Sequence, residues 1–189
     1  MARKSRQVTA RENRHARKTM TLPQWEQEDL LHAAQTAQSD PLVLLLDEIE
    51  DPHNLGACLR TANAAGALAV VTPKHHATKV TDTVMRVSAG AAEHTPVVQV
   101  PNLARCIEVL QRAGLWIVGT SDQATQSFSQ LDLKGPLALV MGSEGKGMRR
   151  LTAEKCDFLG KLPMRGQVEC LNVSVATGIC LFEIVRQRM

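Results

Sequence analysis

The chain has 189 residues, 44% of them hydrophobic and 22% charged, with a formal net charge of +3. That length suffices for one domain with a sizeable core plus an appendage. No apolar run approaches the roughly 18–20 residues of a membrane span, and no apolar segment near the start resembles a secretory signal, so a cytoplasmic protein without a membrane anchor is expected. Residues 1–20 carry Arg3, Lys4, Arg6, Arg11, Arg14, Arg17 and Lys18 against Glu12 alone, a net +6, whereas the rest of the chain nets −3. A basic arm of this kind commonly tracks a phosphate backbone without reading sequence; a solvated terminus with little role is the plainer alternative. A mitochondrial transit peptide is disfavoured because the arm has few apolar residues for an amphipathic face.

After the arm, residues 21–38 read as a helix. Thr21 can cap it, Pro23 suits the first turn, and Glu26, Glu28 and Asp29 favour the positive helix end. Residues 1–40 thus form a basic arm plus a short helix, and the main domain runs over 41–189. From Pro41 strands and helices alternate. Strands are predicted at 42–46 (LVLLL), 68–71 (LAVV), 96–100 (PVVQV), 115–119 (LWIVG), 137–141 (LALVM) and 158–163 (FLGKLP). Between and after them come helices at 54–65, 82–89 and 102–113, a short one near Met148, and a last one from about Asn172 to Arg188. Continuous apolar strands separated by helices mean an α/β fold: a parallel sheet with helices on both faces. Ligands in such sheets bind beyond the carboxyl ends of the strands, which singles out the loops 47–54, 142–147 and 163–172.

The cysteines and histidines point away from metal or disulfide chemistry. Five cysteines at 58, 106, 156, 170 and 180 contain no CxxC and an odd total, which fits reduced thiols. The adjacent pair His75-His76 would point to opposite sides of an extended chain and makes a poor clamp. No metal site is expected.

The loop GSEGKGM (142–148) resembles a phosphate cradle with faulty spacing. A Walker loop needs four residues between its first glycine and Gly-Lys-Ser/Thr. Here Ser143 and Glu144 alone separate Gly142 from Gly145-Lys146, and Gly147 replaces the magnesium-binding hydroxyl. The order GxxGxG also fails the dinucleotide pattern GxGxxG. A tight loop remains, one that brings backbone N–H groups and the Glu144 carboxylate to a ligand that is cationic or rich in hydroxyls and amines. In the 47–54 loop, Asn54 is placed to cap the following helix. On that helix Arg60 stands among small residues, with Asn63 three positions on to steer it, and reads equally well as a surface side chain or an anion contact. In LPMRGQVECLNVSVATGICLFEIV (162–185), Asn172 can cap a helix that is apolar nearly all round. Such a helix should be buried by more than one neighbour, a second copy of the chain being the natural extra one.

Together, DPHNLGACLRTANAAG (51–66), LVMGSEGKGM (139–148) and LPMRGQVECLNVSVATG (162–178) resemble the three ordered motifs of the SpoU, or TrmH-type, branch of the SPOUT RNA methyltransferases. The likeness covers about residues 41–189. NLAR…WIVGT and NVSVATGICLFE…RQR direct it toward the bacterial large-subunit rRNA guanosine 2′-O-methyltransferases. The resemblance implies a deep trefoil knot, a homodimer and S-adenosyl-L-methionine as methyl donor; periodicity alone would exclude a knot. By motif position it implies catalytic roles for Asn54, Arg60, Glu144 and Asn172. It implies cofactor contacts at Gly142, Leu162 and Leu171, with Thr120 and Met164 as neighbours. The implied reaction is methylation of a ribose 2′-hydroxyl, of guanosine in large-subunit rRNA, with a tRNA guanosine or a non-catalytic RNA-binding or ribosome-assembly role as alternatives. Two departures stand out. Cys170 replaces a serine frequent in relatives, and only about 40 residues stand where related enzymes carry a folded RNA-binding domain. With no Tyr, three Phe and two Trp, the chain lacks aromatic platforms for stacking bases, so RNA binding would rest on the arm and the dimer surface.

Overall fold

The computed structural model describes residues 22–189; Thr21 and the seven arm cations lie outside them. The first helix, α1 (Gln27–Thr36), is shorter than expected. Glu26, not Thr21, precedes it, because Glu26 and Asp29 cap each other: the Glu26 N–H donates to the Asp29 carboxylate at 2.8 Å while the Glu26 side chain accepts from the Asp29 backbone. Pro23 falls outside the helix altogether.

Six strands follow: β1 (Leu42–Leu46), β2 (Ala69–Pro73), β3 (Val97–Val100), β4 (Trp116–Thr120), β5 (Leu137–Met141) and β6 (Phe158–Gly160). They form one sheet in the order β3-β2-β1-β5-β4-β6, and every pairing is parallel. Helices α2 (Pro52–Ala64), α3 (Asp82–Val87), α4 (Leu103–Arg112), α5 (Arg150–Glu154) and α6 (Val173–Arg188) link or follow the strands. The expected last strand over 158–163 stops at Gly160; Lys161 makes only an isolated bridge to Ser127.

The period-2 geometry of β1 explains its unbroken apolar run. Leu42, Leu44 and Leu46 enter one core with Leu55, Leu59, Val84, Leu181 and Ile184, whereas Val43 and Leu45 enter a second with Leu30, Ala34, Leu103 and Ile107. All five are buried, each stabilising the fold by about 1.5–3 kcal/mol relative to exposure. Helices α2, α3 and α6 therefore cover one face, α1 and α4 the other. From β1 the chain moves outward through β2 to β3, while β5, β4 and β6 lie on the other side of β1. The order reverses between β1 and β5, and that crevice is where a doubly covered parallel sheet offers a ligand site.

Candidate active site

Asp51, rather than Asn54, caps α2: its carboxylate accepts the His53 N–H at 2.8 Å, with Pro52 in the first position where a missing N–H costs nothing. Asn54 is thereby freed inside the first turn. Its amide nitrogen donates to Glu144 Oε1 at 3.4 Å and its oxygen accepts from Asn172 Nδ2 at 2.9 Å. Asn172 does cap its helix as expected. Its Oδ1 accepts the N–H groups of Ser174 and Val175 at 3.0 and 3.4 Å, which turns Nδ2 outward to Asn54 and Glu144. One oxygen of Glu144 thus gathers Asn54, Asn172 and the Val173 N–H at 3.0 Å. That carboxylate sits at the positive end of α6, where a helix favours an anion. Three loops separated by up to 118 residues in sequence meet at this one atom.

The loop carrying Glu144 is held closed by its own backbone. Ser143 N–H donates to the Gly147 carbonyl at 3.0 Å and Gly147 N–H returns to Ser143 at 2.9 Å. Gly145 and Gly147 have φ of 76° and 69°, the left-handed region that favours glycine. A Cβ on Gly142 would stand 2.1 Å from the Gly147 carbonyl carbon, so Gly142 is required by the loop's own packing. Thr120, at the end of neighbouring β4, is half-buried and donates its hydroxyl to Met141 Sδ at 3.7 Å. Leu162 and Met164 follow β6, Leu171 precedes α6, and all three are half-buried. Leu162 packs against the core that includes Met141, the residue before the loop.

Arg60 does not join this network. It faces outward on α2, exposed and without a side-chain partner among the described residues, six residues along from Asn54, or about 9 Å of rise. The expected steering by Asn63 is absent, because Asn63 donates to Thr95 Oγ1 at 3.0 Å instead. Cys170 is exposed beside the site, whereas burial pushes the thiols of Cys58 and Cys106 up to about 11 and those of Cys156 and Cys180 up to about 12, which leaves these four inert as nucleophiles. Among the described residues no group of three or more His, Cys, Asp or Glu could hold a metal ion, and no helix is long and apolar enough to cross a membrane. Two residues without an assigned role from sequence, Asp47 and Arg149, form an ion pair at the base of the loop, with Asp47 buried and Arg149 partly exposed. The signal available for Asp47 was its position, a carboxylate directly after five buried apolar residues.

Residues 41–182 match the SpoU rRNA Methylase family. The chain belongs to that family. It is 61% identical over 161 residues to the 23S rRNA (guanosine-2′-O-)-methyltransferase RlmB of Pseudomonas putida, an alignment that covers 85% of this chain and 64% of the relative. It therefore spans just under two thirds of the length of such curated relatives. Among solved structures, the AdoMet-bound rRNA methyltransferase of Sinorhizobium meliloti superposes with a TM-score of 0.75 at 29% identity, over 80% of this chain and 58% of that one. The TrmH/SpoU tRNA modifying enzyme of A. aeolicus gives 0.71 at 28% identity, over 85% and 83%. The Asn54–Glu144–Asn172 cluster lies within the residues that match the family.

Proposed function

We propose that the protein is an S-adenosyl-L-methionine-dependent RNA ribose 2′-O-methyltransferase acting on guanosine in large-subunit rRNA. The observation that carries the reading is the convergence of Asn54, Asn172 and the Val173 N–H on one oxygen of Glu144, in a chain 61% identical to a 23S rRNA guanosine methyltransferase. When bound, the cofactor supplies an electrophilic methyl group. Gly142, Leu162, Met164, Leu171 and Thr120 would hold it, and Glu144 with the two asparagines would fix donor and ribose in line; such alignment supplies several kcal/mol. The attacking hydroxyl must lose its proton, and a guanidinium, which stays protonated in proteins, is a poor base. Exposed Arg60 instead holds the phosphate beside the target ribose, and that phosphate or water takes the proton. The tRNA reading is favoured by one observation, the match across 83% of the A. aeolicus tRNA modifying enzyme.

The same reading includes a homodimer and a knotted path in a domain beginning near residue 41. Val175, Ile179 and Phe182 stand 51%, 46% and 49% exposed and recur at the spacing of one helix face, which supports a partner on α6. The return of α6 from beyond edge strand β6 to pack on α2 and central β5 supports the knot. The basic arm would add phosphate contacts, in a cytoplasmic enzyme. Titration with S-adenosyl-L-methionine tests the reading: one saturable site per chain is expected. RNA binding without cofactor binding would leave a non-catalytic RNA-binding role instead. In the same protein, Arg60→Lys should keep cofactor binding and lose turnover; wild-type turnover would remove the phosphate clamp.

A further inference from the structure

Asp47 holds the Glu144 loop at both ends. Its backbone N–H donates to the carbonyl of Met141, the residue before the loop, at 2.8 Å. Its carboxylate accepts the backbone N–H of Arg149, the residue after the loop, at 2.9 Å, and takes the Arg149 guanidinium at 2.8 Å through Nε and 2.6 Å through the terminal nitrogen. The Asp47 side chain is fully buried and Arg149 is 41% exposed. Next to it Glu48 adopts φ 60°, an uncommon conformation for a residue with a side chain, and lies 3.6 Å from the same guanidinium.

We propose that the Asp47–Arg149 pair is a clip that positions Glu144 for the cofactor site, an inference that rests on the methyltransferase reading above. Both ends of the 142–148 segment are fixed by one residue seated at the end of central strand β1. With the ends fixed and the Ser143–Gly147 bonds closing the middle, Glu144 has little freedom to leave Asn54, Asn172 and the Val173 N–H. Functional groups need placement within about 0.5 Å to act. Asp47 and Arg149 are positioning residues: neither is assigned a contact with substrate or cofactor.

The test is the apolar replacement Asp47→Leu/Arg149→Met, with Arg149→Lys as the conservative variant. The double variant should keep the wild-type far-ultraviolet circular dichroism yet bind S-adenosyl-L-methionine about 10-fold more weakly and turn over about 10- to 100-fold more slowly. Amide exchange at 143–147 should rise while exchange in β1 and β5 stays as in wild type. Arg149→Lys should recover part of both losses. Placed on Glu144→Gln, the double replacement should add less than about 2-fold to the loss of turnover, since effects routed through one group do not add. Wild-type loop exchange and turnover in the folded double variant, or a full additive loss on Glu144→Gln, would overturn the clip. A wild-type protein that binds no S-adenosyl-L-methionine would overturn the methyltransferase reading instead, and loop exchange would still decide whether Asp47 and Arg149 hold the loop.

Discussion

Asn172 performs two tasks with one amide. Its oxygen caps α6 and its nitrogen reaches Asn54 and Glu144. The two can be separated by substitution. Asn172→Ala removes both, costing about 1 kcal/mol of stability as a lost cap and slowing methyl transfer about 100-fold. Asn172→Asp keeps the capping oxygen but replaces the donor by a carboxylate facing Glu144, so it should lose transfer to a similar degree while denaturing close to wild type. Urea denaturation and single-turnover transfer rates on the three proteins check both halves. Asn172 and its cap were legible in the sequence; Asn54 was assigned the cap that Asp51 provides. The Asp51-Pro52 start is local, and it displaced Asn54 because a carboxylate one position ahead of Pro52 accepts the His53 N–H directly.

At the scale of elements, the strands were legible as apolar runs, of which β1, β2 and β5 are buried on both faces, and β1 and β5 fall on the residues expected. The end of β6 and the start of α1 were not, since Lys161 pairing and the Glu26–Asp29 box depend on geometry that apolar periodicity does not carry. The Asp47–Arg149 pair spans 102 residues, and no local pattern records so distant a contact. The Gly142 loop carries a sharp prediction. Gly142→Ala pushes a methyl into the Gly147–Met148 backbone, so cofactor binding should fall at least about 10-fold by calorimetric titration, while far-ultraviolet circular dichroism stays unchanged. On α6, Ile179→Glu places a charge in the exposed apolar face. Light scattering should report a dimer for wild type and a monomer for the variant; a dimer in both would locate the interface elsewhere.

For the whole molecule, charge divides between a near-neutral body and an arm with a net +6 over residues 1–20. The sheet order, with its reversal between β1 and β5, gathers the three motif loops at one end, which the chain order of strands could suggest but not fix. Removing residues 1–20 should weaken RNA binding and flatten its dependence on salt, by about 0.7–0.9 in log–log slope for each arm cation that pairs with a phosphate. Filter binding across a salt series measures this, and an unchanged slope would free the arm from any such role. The central claim is the reaction itself. Transfer of labelled methyl from S-adenosyl-L-methionine to purified 23S rRNA and tRNA, with the modified nucleotide mapped, tests it most directly. A single 2′-O-methylguanosine in 23S rRNA is expected, produced by wild type and not by Asn172→Asp. Label on tRNA alone, on a base instead of a ribose, or on neither RNA would contradict it.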